Sequence, residues 1–354
     1  MMTDTIRARI AADCLCDVGA AQPWAEMFAK PSVSVGFIGG SVTSGFAADR
    51  FYETAYPQML VQGMRDMGYH VKESVLAAPG MDSMTGNLLC DSYILPHQPD
   101  LIILDFAINE MTQRPSILAF ESLLRHLLTM PRPPIICLLL LRSQNDYSCE
   151  SFMLPMAAHY GLACINLRRG LNPALERGDL SWEEYGDSES HPTPEGHRLL
   201  ADCLLHLLEQ ARQTEPRPHP ELPAPWLDAP YTALHFRKPD DRPLIPRTDP
   251  YFREALCIDK ESGAWEMTLR CKTLLVFYVT HRLPEYGDCT VLIDGAPPKL
   301  TRMLQSPVLR SNSIYGWGNA RYAQLLTAES AAEHTLRLEP LDGKFYLLGI
   351  GYTD

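Results

Sequence analysis

The chain has 354 residues, 46% of them apolar, and a formal net charge of -12. That length is comfortable for two domains and long enough to bury a sizeable core. The acidic balance excludes a basic footprint for nucleic acid or for an anionic membrane surface. No apolar run reaches the ~20 residues that span a bilayer.

The first 30 residues mix charges with short apolar pieces and read as an N-terminal extension. They lack the basic, apolar, small-residue order of a signal peptide, so a cytoplasmic protein is expected. Ten cysteines are scattered along the chain; Cys14 and Cys16 are a close pair without a companion cluster. That usage suits free thiols rather than a disulfide framework or a metal site.

Residues 31–212 alternate apolar runs with helical patterns. The runs fall at 33–38, 70–78, 100–108, 134–141 and 163–167, and short apolar runs between helical patterns read as parallel strands. Helical patterns lie at about 57–68, where Pro57 suits a first turn, and at 115–129, 150–160 and 194–211. Alternation of this kind predicts an α/β domain, a three-layer sandwich around a five-stranded parallel sheet. Ligands in such sheets bind beyond the carboxyl ends of the strands. Ser41, Gly80 and Asn109 each sit just past such an end.

Residues 213–250 hold ten of the 29 prolines, a density that forbids helix interiors and central strands. They read as a linker packed on the surface, because Trp226, Leu227, Tyr231, Leu234 and Phe236 are poor solvent residues. From 251 to 354 the apolar period switches to two, with Asp-Gly turn signals at 294–295 and 342–343. This predicts an all-β, sandwich-like accessory domain.

Four pieces carry the chemistry: "FIGGSVTSG" with Ser41, "AAPGMDSMTG" with Gly80, "LDFAINE" with Asn109 and "DSESHPTPEGH" with His191. Each has a plain structural use taken singly: turns for Ser41 and Asn109, a positive φ for Gly80, a pre-helix loop for His191. Taken together, three strand ends and one loop converge on one edge of the sheet. The arrangement resembles the SGNH (GDSL-type) hydrolases, a flavodoxin-like family, over about residues 30–211. Glu110 stands where that family usually has an aspartate after the asparagine.

The resemblance implies acyl transfer without metal or cofactor. Ser41 would be the nucleophile and His191 its base, with an oxyanion hole of the Ser41 and Gly80 backbone N–H groups and the Asn109 amide. It also implies an aspartate three residues before the histidine, where Ser188 stands here. Asp187, one residue earlier, is the expected acid; Glu189 or a backbone carbonyl is the alternative. Arg142, Ser83 and Trp317 are candidate substrate-binding residues, with Tyr315 and Asn312 beside Trp317 in a Gly-rich loop. Asp105 reads as structural, and His197 as a packing residue.

An SGNH domain followed by a β-domain resembles two-domain bacterial carbohydrate acetylesterases. The expected activity is hydrolysis of short acyl esters, O-acetyl foremost, on a small-molecule or oligosaccharide substrate. A lipase or thioesterase of the same family, an acyltransferase and a catalytically silent carbohydrate-binding protein are the alternatives. No nucleic-acid or membrane partner is expected; the second domain would cover the sheet edge or build a homo-oligomer.

Overall fold

The computed structural model describes residues 2–48, 50, 52–187, 189–215, 221–247, 252–301, 304–313 and 317–354, the side chain of Trp317 excepted. The chain divides into two compact units, Met1–Thr232 and Ala233–Asp354.

The first unit opens with α1 (Asp4–Cys14), β1 (Leu15–Val18) and α2 (Trp24–Phe28). Then β2 (Ser32–Gly39), α3 (Tyr56–Asp66), β3 (His70–Ala77), α4 (Ser83–Tyr93) and β4 (Leu101–Asp105) follow. The unit continues through α5 (Arg114–Leu128), β5 (Ile135–Leu140), α6 (Glu150–Tyr160), β6 (Ala163–Asn166), α7 (Leu167–Glu176), α8 (Trp182–Tyr185) and α9 (Pro194–Gln213).

The sheet order is β1-β6-β5-β4-β2-β3, with β2 to β6 parallel, as the five apolar runs predict. The chain leaves β2 for β3 on one side and then crosses to β4 on the other. The carboxyl end of β2 is therefore the topological switch point, where open α/β sheets form their binding crevice. Along β2 the pleat sends Val33, Val35 and Phe37 into the core shared with α1, α3 and α9. Ile38 faces the other way, toward Gly86 of α4.

Two expectations are corrected here. Residues 1–30 are not an appendage. β1 pairs antiparallel with β6 as a sixth strand, and Ile10, Ala11, Cys14, Trp24 and Met27 join the main core. The strand reads poorly because its four residues, LCDV, include a charge. The proline-rich stretch is not one linker either, since the unit boundary falls inside it, after Thr232. Its first part docks on the N-terminal unit through backbone groups. The Glu121 carboxylate accepts N–H bonds from Trp226, from Leu227 at 2.9 Å and from Asp228 at 3.1 Å. Asn87 donates to the Tyr231 carbonyl at 2.8 Å. Tyr231 is buried, whereas the Trp226 and Leu227 side chains stay exposed and their backbone is held by the buried Glu121 carboxylate.

Helix α4 has no clear signature because SMTGNLLCDSY carries Gly86, Asn87, Ser83 and Thr85, poor helix formers. Asp82 caps it by accepting the Thr85 N–H at 2.9 Å. A side chain at Gly86 would press on Phe106 and Ile38, so the glycine sets how closely the helix approaches the sheet.

The second unit is antiparallel throughout. It contains β7 (His235–Arg237), β8 (Ile245–Pro246), β9 (Glu254–Ile258), β10 (Trp265–His281), β11 (Cys289–Ile293), β12 (Val308–Leu309), β13 (Trp317–Pro340) and β14 (Phe345–Thr353). The strand order is β12-β11-β13-β10-β14-β9-β8, with β7 also paired to β14. In β10 alternate residues are buried from Trp265 to Cys271, and both faces are buried beyond Thr273. Phe236 and Phe252 cover that second face, edge-on to Phe277. Both Asp-Gly pairs form turns, Asp294 and Gly295 at φ +54° and +78° and Gly343 at +50°.

Candidate active site

Beyond Gly39 the chain turns sharply through Gly40 and Ser41. A Cβ on Gly40 would lie 2.5 Å from the Asn109 Oδ1 and 2.9 Å from its Nδ2. Only glycine lets the Asn109 amide pack against the Ser41 turn. The turn is anchored from below. Thr43 Oγ1 donates to Asp105 Oδ2 at 2.8 Å and lies 2.8 Å from the Tyr56 hydroxyl. The Ser41 carbonyl accepts from Ser44 Oγ at 2.8 Å and from the Phe46 N–H at 2.9 Å.

Ser41 Oγ lies 3.0 Å from His191 Nε2, and His191 Nδ1 lies 3.0 Å from Asp187 Oδ2. A carboxylate facing Nδ1 places the ring proton there and leaves Nε2 to accept from the serine hydroxyl. Asp187 Oδ1 is bound separately, by the N–H groups of Glu189 at 2.9 Å, Ser190 at 2.9 Å and His191 at 3.0 Å. The loop is closed by the Asp187 N–H to the His191 carbonyl at 2.9 Å and by the Trp182 indole donating to the Asp187 carbonyl. Burial alone would push the Asp187 carboxyl up; the N–H groups of Glu189 and His191 and the ring of His191 outweigh it and hold the group below its ordinary range. Glu189 offers its backbone N–H to Asp187, and its exposed side chain lines a neighbouring cleft.

Gly80 follows β3 in a turn closed by the Met81 N–H to the Ala78 carbonyl at 3.0 Å, with φ +71°. Glu110 joins the two loops that carry Gly80 and Asn109. Its Oε1 accepts the Ser83 N–H at 2.6 Å, three residues past Gly80, while it directly follows Asn109. Burial, with Asp82 nearby, raises its carboxyl to about 8, against the Ser83 hydrogen bond. The substitution for the family's aspartate therefore keeps a carboxyl at the N-terminus of α4.

Phe46, 44% exposed, packs on the His191 ring with centroids 4.4 Å apart. His197 fixes that phenylalanine by donating from Nε2 to the Phe46 carbonyl at 3.2 Å, while Nδ1 accepts the Tyr56 N–H at 3.3 Å. Burial lowers His197 to about 4, so the ring is neutral, as those two bonds require. The sequence offered one signal for Phe46, a large apolar residue among small ones after the serine.

Two substrate-binding expectations are corrected. Arg142 is buried, with its guanidinium spent on the carbonyls of Ser143 at 3.0 Å and Gln144 at 2.9 Å and on Asp146 at 3.3 Å. It stacks over Trp182 at 4.9 Å, so it holds a loop rather than meeting a ligand. Ser83 is fully buried, with its backbone N–H on the Glu110 carboxylate, so it does not face a ligand. Tyr315 and the side chain of Trp317 lie outside the described residues. Asn312 donates to the Leu283 and Tyr286 carbonyls at 3.3 and 3.4 Å.

Among the described residues one group, Cys90, Asp91 and His126, brings metal-type ligand atoms within 4.8 Å of one another. Its histidine is already engaged on both sides, Nδ1 with Asn87 Oδ1 at 2.7 Å and Nε2 with Asp91 at 3.0 Å. The ten cysteines are free and mostly buried. No helix among the described residues is long and apolar enough to cross a membrane.

Residues 37–199 match the GDSL-like Lipase/Acylhydrolase family. That stretch of the first unit holds Ser41, Gly80, Asn109 and His191, so the region that carries the site is of the GDSL type. This places it among the carboxylic ester hydrolases. A comparison with curated proteins found no match. Among solved structures, a two-domain esterase (CEX) active on acetylated mannans is similar over 97% of this chain and 99% of its own, with a TM-score of 0.83 at 17% identity. The same esterase co-crystallized with mannopentaose is similar over 95% of this chain and 93% of its own, with a TM-score of 0.79 at 18% identity. At such identity the likeness establishes a shared two-part fold.

Proposed function

We propose that this protein is a serine esterase that removes short acyl groups, O-acetyl foremost, from a carbohydrate. The observation that carries the reading is the relay from Asp187 through His191 to Ser41, with both links at 3.0 Å. His191 Nε2 takes the Ser41 proton as the oxygen attacks the acyl carbon. The oxyanion is held by the Ser41 and Gly80 backbone N–H groups and the Asn109 amide. His191 then passes the proton to the departing sugar oxygen, and water resolves the acyl-serine by the same route in reverse. The intact relay weighs against a silent binding protein. The carbohydrate part is supported by the two-domain esterase of the same fold, which acts on acetylated mannans.

The test is acetate release from acetylated manno- and xylo-oligosaccharides, with a p-nitrophenyl ester series from acetate to octanoate. We expect turnover on the glycans, a preference for acetate and loss of both activities in Ser41→Ala. Rates that climb toward octanoate would reject the short-acyl reading. Release from none of the glycans would reject the carbohydrate.

A further inference from the structure

One wall of the catalytic histidine loop is shared with a cleft that the reaction described above does not use. The cleft, of about 300 Å³, is lined by Ser143, Gln144, Asn145, Tyr147, Glu189 and Ser190. Ser190 directly precedes His191, and the Gln144 N–H bonds the Glu189 carbonyl at 2.8 Å, so the loop after β5 and the histidine loop form one surface. We infer that this cleft is the subsite for the alcohol half of the ester and that it takes an uncharged sugar ring. The inference rests on the esterase reading and adds to it the place and the charge of the leaving group.

The acid that protonates a leaving alkoxide must stand beside that oxygen. The oxyanion donors Gly80 and Asn109 follow β3 and β4, whereas His191 enters on the loop before α9. A leaving group served by His191 meets the surface that His191 shares with Ser190 and Glu189.

The cleft is also held in shape. Tyr147 donates its hydroxyl to the Glu110 carbonyl, which ties the wall to the residue after Asn109. Its ring remains 39% exposed, a flat apolar face. The loop turns through Asp146 at φ +63°, a left-handed conformation that a non-glycine residue keeps only where its surroundings fix it. The Arg142 bonds to the Ser143 and Gln144 carbonyls and its pair with Asp146 stabilise that shape, as does Arg168 at 3.1 Å from Asp146.

Chemistry then selects the ligand. Hydroxyl and amide side chains at Ser143, Gln144 and Asn145 suit a polyhydroxyl ring, and the Tyr147 face suits its C–H side. The charged side chain lining the cleft is the carboxylate of Glu189, with Asp187 alongside. Arg142 and Arg168, the near cations, are spent on Asp146 and Glu150. An anionic sugar would face net repulsion.

The experiment compares kcat/KM of the full chain on monoacetylated xylobiose and on monoacetylated glucuronic acid, at low and high salt. Wild type should favour the neutral ester. Glu189→Gln should narrow that preference by up to about fivefold, the size of one exposed charge pair, and Glu189→Lys should narrow it further. Both effects should shrink at 0.5 M salt. Asn145→Ala should raise KM for acetylated xylobiose more than it lowers kcat. If wild type cleaves the xylobiose ester and both Glu189 variants keep its neutral-to-acidic ratio within twofold, the subsite is refuted and the esterase reading stands. If wild type cleaves p-nitrophenyl acetate through Ser41 but neither sugar ester, the subsite and the carbohydrate substrate both fall and the serine-esterase reading stands.

Discussion

The sharpest perturbation is Asp187→Asn, because the structure decides which way the amide must point. Three backbone N–H groups, from Glu189, Ser190 and His191, converge on Oδ1 at 2.9–3.0 Å. They need an acceptor, so the asparagine oxygen stays with them. The amide nitrogen is then left facing His191 Nδ1, where Oδ2 stood 3.0 Å away. An N–H donor opposite Nδ1 forces the ring proton onto Nε2, and Nε2 no longer accepts from Ser41. The enzyme folds with its base in the wrong tautomer.

Loss of the base in this way should lower kcat by about 10⁴, equivalent to ~5.5 kcal/mol. The cost in stability should be only ~1 kcal/mol, since the three N–H bonds survive with a neutral acceptor. That corresponds to about 2–4 °C in Tm for a unit of this size. In the wild type the Asp187 carboxyl is held below its ordinary 3.8. Its stabilisation is therefore present above pH ~4 and is lost as pH falls through the folded-state value. The assay is kcat on p-nitrophenyl acetate with a thermal melt of the same sample. A variant that keeps more than a tenth of wild-type kcat would show that another group orients His191.

Gly40→Ala puts a methyl group 2.5 Å from the Asn109 amide, so the amide must swing away. With one oxyanion donor displaced, kcat on p-nitrophenyl acetate should fall by ~10²–10³ while the melt stays near wild type; a loss under threefold would dismiss the amide's role. Asp105 is fully buried with Oδ1 unpartnered among the described residues, and burial raises its carboxyl to about 7 against the Thr43 hydrogen bond. A carboxyl raised from 3.8 costs nothing below pH ~4; its penalty grows with pH up to about 7, reaching at most roughly 4 kcal/mol. Asp105→Asn should therefore gain Tm relative to wild type more at pH 8 than at pH 5, and an equal difference at both would contradict the burial argument.

The parts legible in the sequence are those fixed by local rules. Five apolar runs are strands because each is short and cut off by glycine, asparagine or a turn residue, as at Gly39, Gly80 and Asn109. The Thr193–Pro194 start of α9 is legible for the same reason, a cap followed by a proline. What was hidden depends on distant partners. Helix α4 exists because the sheet accepts Gly86 closely, and β1 because β6 needs an edge partner. Arg142 read as exposed because Trp182, whose ring it stacks on, lies far along the chain.

The displaced acid shows the same division at the scale of one residue. Asp187 and Glu189 flank the position where the family keeps its aspartate, and sequence spacing alone treats them as near equals. Backbone geometry separates them. The turn that returns the Asp187 N–H to the His191 carbonyl directs the intervening N–H groups of Glu189 and Ser190 inward. An inward N–H needs a short acceptor reaching across the turn, and the aspartate at its start supplies one oxygen for the loop and one for the ring. Glu189, whose N–H is one of the donors, cannot close that turn with its own longer side chain. The extra residue is thus absorbed by the carboxylate itself, which is why the family spacing can shift by one while the imidazole keeps its partner.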